Sequence, residues 1–116
     1  MQSAERALRL SPLDPVRYLY DALAASAAVS AGRYDDGLEL AQRSWRANRR
    51  FASSLRAIVI AQVLLGRLNE ARQSARTLLQ LEPTLTASGY LRRHPSGAYP
   101  IGKVWSESLR AAGVPH

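Results

Sequence analysis

The sequence predicts an all-α fold: a right-handed array of antiparallel helix pairs closed by a C-terminal capping helix. Three observations carry that expectation. Gly32-Arg33-Tyr34-Asp35-Asp36-Gly37 and Gly66-Arg67-Leu68-Asn69-Glu70-Ala71 are one phrase written twice, opening at position 32 and again at position 66. A step of about 34 residues is the span of a helix–turn–helix unit that stacks on its own copies. Between chain breakers the apolar residues recur at helical spacing. The breakers themselves are residues that start or stop helices for stated physical reasons.

The elements follow in order. Residues 2–10, with Ala4, Ala7, Leu8 and Leu10 on one side, read as a short amphipathic helix ended by Pro12. Asp14-Pro15 is a start signal, an acidic N-cap followed by a proline whose missing N–H costs nothing at the first helical position. The Ala-rich helix it opens runs to about Ala31, with Gly32 as a left-handed stop. Tyr34, Leu38, Ala41 and Trp45 mark one face of the next helix, whose first turn carries Asp35 and Asp36 where negative charge suits the macrodipole. Phe51, Leu55, Ile58, Val59 and Leu65 repeat the pattern up to Gly66, and Leu68, Ala71, Ala75, Leu78 and Leu79 repeat it up to Pro83. Leu10-Ser11-Pro12 and Leu81-Glu82-Pro83 form a second matched phrase. Their separation is two repeat steps plus about one helical turn, and the extra turn falls between Pro12 and Gly32.

Beyond Pro83 the register fails. Leu85 to Arg92 can supply only a short helix, and His94-Pro95-Ser96-Gly97-Ala98-Tyr99-Pro100 reads as a loop. A final helix over 101–112 carries Val104, Trp105, Leu109 and Ala112 on one side and leaves through Gly113 and Pro115. It is expected to cap the open face of the last unit, as a stacked array requires. The organisation is therefore a back half-unit over 1–12, a unit over 14–50, a second over 51–83, and a degenerate unit with its cap over 84–116.

Composition narrows the function classes. The chain has 116 residues and no cysteine, which removes disulfides and thiolate metal sites and suits a reducing cytoplasm. No apolar run reaches membrane-spanning length, and no secretory signal pattern opens the sequence. The formal net charge is +7, with arginine supplying all but one of the 16 basic side chains. Such a balance attracts nucleic acid, anionic lipid or an acidic protein surface. Coding bias in a GC-rich genome enriches arginine as well.

At Gly32, Tyr34 and Gly37, at Gly66, Leu68 and Ala71, and at Pro12 and Pro83 the chain resembles the tetratricopeptide repeat family. These residues match, in turn, the glycine between helices A and B, the large residue two places later, the small residue where the helices cross, and the terminal proline. The resemblance covers roughly residues 4–92 and implies an α-solenoid that binds other proteins. The opening stretch Ala7 to Pro15 and the ending Leu109 to Pro115 are also similar to the C-terminal repeat regions of multidomain bacterial proteins, such as class III adenylate or guanylate cyclases and winged-helix regulators. That likeness implies a fragment whose catalytic or DNA-binding part lies upstream.

Catalysis is not expected. The two histidines, His94 and His116, sit in a loop and at the terminus, and no phosphate-binding glycine loop occurs. No cofactor or metal is expected. The family resemblance implies a peptide groove on the A helices, lined by Leu19, Ala22 and Ser26 from the first unit and Ser53, Arg56 and Ile60 from the second, with Tyr90 from the third. Arg56 is suited to hold an acidic group. Arg43, Arg46 and Arg50 fall at i, i+3 and i+7 with Arg49 beside them, a basic patch for phosphate contact or a solvated outer face supported by Glu39 four residues before Arg43. The expected role is a non-catalytic protein-interaction or dimerisation module in the cytoplasm, without membrane contact and with an unidentified protein or peptide partner. The alternative is a basic module that contacts nucleic acid or regulates an attached catalytic domain.

Overall fold

The computed structural model describes residues 16–87, 89 and 100–115, with side chains from 103 onward in the last segment. The expected helix over 2–10, Pro12, the Asp14-Pro15 start, residues 94–99 of the expected 94–100 loop and His116 lie outside the described residues. Pro100, the last residue of that loop, is instead helical. Among those described, the regular structure is entirely helical: α1 (Arg17–Ser30), α2 (Tyr34–Ala47), α3 (Ala52–Leu64), α4 (Leu68–Leu81) and α5 (Pro100–Ala111). The described part of α1 has 14 residues and α3 has 13.

Gly32 and Gly66 adopt the same local conformation. Gly32 and Gly66 have φ of 82° and 79°, a region closed to most side chains. Each ends its helix with the same pair of hydrogen bonds. Gly32 N–H donates to Val29 O at 3.1 Å and Arg33 N–H to Ala28 O at 2.8 Å. Gly66 N–H donates to Val63 O at 3.0 Å and Arg67 N–H to Gln62 O at 2.8 Å. This is the Schellman arrangement, which satisfies carbonyls that the helix end would otherwise orphan. Gly113 closes α5 in the same way, at φ 108°.

Consecutive helices α1 to α4 pack on one another, and α3 also touches both α1 and α5. That central place explains its sequence. Leu55, Ile58, Val59, Ile60 and Ala61 are all buried, so α3 is apolar around most of its circumference, as a helix packed on several sides must be. α2 and α4 are amphipathic, burying Leu38 and Ala41 in one and Ala71, Ala75 and Leu78 in the other. Where α1 crosses α2 there is no room for a side chain. A Cβ on Gly37 would stand 2.6 Å from Val29 Cγ2 and 3.2 Å from Ala25 O. The equivalent Ala71 is fully buried.

The polar groups inside this packing are specifically paired. Ser44 Oγ donates to Tyr18 O at 2.7 Å, joining α2 to the start of α1. Ser74 Oγ donates to the buried Gln62 Oε1 at 2.8 Å, joining α4 to α3. At the C-terminal end, Ala87 is held through both of its backbone polar groups. Its N–H donates to Pro115 O at 2.7 Å, and its O accepts from Ser106 Oγ at 2.9 Å.

Trp105, Leu109 and Ala112 are buried, as the sequence predicts. Val104 is not: it remains 38% exposed, because it lies about 100° round the helix from Trp105 and the buried stripe runs through 105, 109 and 112. Leu68, the first residue of α4, is likewise 37% exposed. The short helix expected from Leu85 has Leu85 and Ala87 buried, and most of the rest lies outside the described residues.

Candidate functional site

Side chains of α1 and α3 enclose a cavity of about 350 Å³. From α1 come Leu19, Ala22, Leu23, Ser26 and Val29, and from α3 and the residue before it come Phe51, Ser53, Arg56, Ala57 and Ile60. Trp105 of α5 closes one wall. Leu19, Ala22, Ser26, Ser53, Arg56 and Ile60, the groove residues expected from the family resemblance, therefore line one cavity, while Tyr90 lies outside the described residues.

The two walls show matching residue spacing. Positions 19, 22, 23 and 26 of α1 correspond to 53, 56, 57 and 60, each pair separated by the same step as Gly32 and Gly66. Both quartets have the spacing i, i+3, i+4, i+7, the stripe that a helix presents to one side. Leu23 and Ala57 complete these stripes and could have been found from that spacing. Leu23 is the most exposed large apolar residue among those described, at 68%. Phe51 and Trp105 gave no such signal, because their placement depends on the turn before α3 and on the docking of α5.

The lining is mainly apolar. Among the described residues Arg56 is its one charged member, and its guanidinium is already engaged: Nη1 donates to Glu82 Oε1 at 2.6 Å and Nη2 to Ser53 Oγ at 2.9 Å. An acidic ligand at Arg56 must therefore share with or displace Glu82, a competition the sequence did not reveal. The Phe51 ring is oriented by an edge contact from Tyr18, with centroids 5.1 Å apart and planes at 71°.

The basic patch is not one helical face. Arg43 turns inward: Nη2 lies 3.5 Å from Asp21 Oδ1, with Arg17 Nε 3.9 Å from Asp21 Oδ2. Its partner is thus buried Asp21 on α1 rather than exposed Glu39, since attraction across a partly desolvated gap exceeds that between groups in water. Burial pushes the Asp21 carboxyl above its usual range, and Arg43 and then Arg17 oppose that shift. Arg46 stays exposed on α2. The helix ends at Ala47, because Asn48 is extended (φ −146°), so Arg49 and Arg50 belong to the connection to α3. There Arg50 N–H donates to Asn48 Oδ1 at 3.0 Å, which fixes the turn.

A smaller cavity of about 230 Å³ lies between α4 and the end of α5, lined by Arg72, Ala75, Arg76, Leu79, Ala112 and Gly113. Among the described residues, no group of three or more His, Cys, Asp or Glu side chains converges on a point. No described helix is long and apolar enough to cross a membrane. No family model, curated protein or solved structure matches the chain.

Proposed function

We propose that the chain is a right-handed array of tetratricopeptide-like helix pairs and serves as a non-catalytic protein-interaction module. The α1–α3 groove takes a segment of a partner protein. One observation carries this reading: two equivalent side-chain stripes, one repeat step apart, converge on a single apolar cavity with polar groups at its edge. A concave, mostly apolar site with a few placed polar groups is the usual form of a binding pocket. The contact of α3 with α1, two helices back in sequence, and the shared Schellman stops support a stacked arrangement. Covering the end of that stack is the role of α5, hooked through Ala87 and packed on α3.

The test is selection from a random peptide library on the full chain, followed by amide chemical-shift mapping with the enriched peptides. Shifts concentrated at Ala22, Ser26, Ala57 and Ile60 are expected. Ser26→Phe, which fills the cavity from a half-buried position, should abolish them while circular dichroism stays native. Absence of enrichment, or shifts confined to the outer faces of α2 and α4, would sink the reading.

A further inference from the structure

The apolar cavity and the basic connection between α2 and α3 are neighbours. Phe51 is a wall of the cavity, and Arg49 and Arg50 are the two residues before it. Both arginines are exposed. Among the described residues neither takes part in an ion pair, whereas Arg17, Arg33, Arg43 and Arg56 each have a carboxylate partner. The turn that carries them is held by Asn48, and the Phe51 ring is held by Tyr18, so the two features keep a fixed relation. Among the described residues no carboxylate lines the cavity.

Resting on the groove reading above, we propose that the partner segment is acidic and carries one bulky apolar residue as its anchor. The anchor fills the cavity, and carboxylates flanking it pair with Arg49 and Arg50. Three arguments favour this occupant. A volume of about 350 Å³ is at the small end for binding pockets, room for an anchor side chain rather than a folded element. Arginine pairs bidentately with carboxylates, and these two have no partner to surrender among the described residues. The net charge of +7 speeds encounter with an acidic segment and repels a basic one. A nucleic acid would satisfy the arginines but leave the apolar cavity unfilled.

Fluorescence anisotropy on the full chain tests this with labelled short peptides. The probes are a leucine between two runs of four glutamates, its alanine-centred counterpart, and a leucine between two runs of four lysines. A short oligothymidine is the fourth probe. The acidic leucine peptide should bind at least tenfold tighter than each of the others at low salt, and weaken several-fold on raising the salt. Arg49→Glu with Arg50→Glu should cost it at least tenfold while preserving the preference for leucine over alanine. These positions are exposed, so the variant should keep the native circular dichroism spectrum, and Arg49→Gln with Arg50→Gln gives a milder second arm. Equal binding of the acidic and basic leucine peptides, indifference to both arginine variants, or tighter binding of the oligonucleotide would each overturn the proposal. The groove reading survives if a non-acidic peptide still shifts Ala22, Ser26 and Ala57, and falls with it if none does.

Discussion

Arg43 Nη2 lies 3.5 Å from Asp21 Oδ1, so a residue of the outer helix α2 faces a carboxylate buried in α1. The pair is too long to be an ideal hydrogen bond, and among the described residues Asp21 Oδ1 accepts none. Desolvation therefore dominates, and the Asp21 carboxyl holds its proton to higher pH when folded than when unfolded. The stability this proton contributes is fully present below the unfolded pKa and is lost as pH rises through the folded one. Measured by urea denaturation, wild type should gain stability relative to Asp21→Asn as pH falls from neutrality to about 4, the ordinary carboxylate range. A difference that is flat with pH, or larger at pH 7, would contradict the assignment.

Two glycines should fail for different reasons. Gly66 has open space around its missing Cβ but a φ of 79°, so Gly66→Ala should cost about 1–2 kcal/mol through the backbone alone. Urea denaturation reads that loss, and no neighbouring substitution should rescue it.

Gly37 lies within α2 and has no room. Gly37→Ala should cost roughly 1–3 kcal/mol by overpacking against Val29 Cγ2 and Ala25 O. Adding Val29→Ala removes the closer contact, so the double variant should be less destabilised than the sum of the singles. Additivity in that double-mutant cycle would refute the proposed clash.

Ser106→Ala removes the hydroxyl that reaches Ala87 O, and should cost on the order of 1–3 kcal/mol because a buried carbonyl loses its partner. Hydrogen exchange at the Ala87 amide should quicken in this variant, since the two bonds to Ala87 hold the same segment in place. Unchanged exchange at Ala87 with full stability would show that the hook is unimportant.

Much of the helical frame was legible because its determinants are local. Gly32, Gly66 and Gly113 stop helices through their own backbone freedom, and Ala41, Ala75 and Leu78 sit at regular intervals on buried faces. The groove stripes were legible in part for the same reason. What escaped were relations between elements. Asp21 is a single carboxylate in an alanine-rich helix, and nothing in the spacing of Arg43 points to α1 rather than to Glu39. The engagement of Arg56 by Glu82 joins residues 26 apart in sequence, which no single-helix period encodes. Val104 departs from expectation because adjacent residues cannot share the centre of one helical face.

The attachment at Ala87 is made to Pro115 by main-chain atoms alone and to Ser106 by a single hydroxyl. Such a fastening does not depend on the side chain at exposed position 115, and it is sensitive to the count of residues between 106 and 115. Substitutions at exposed position 115 should be tolerated, whereas one residue inserted or deleted between 106 and 115 would move the two contacts out of phase. The tail of the chain thus measures length, and natural variation there should appear as exchange of side chains at constant spacing.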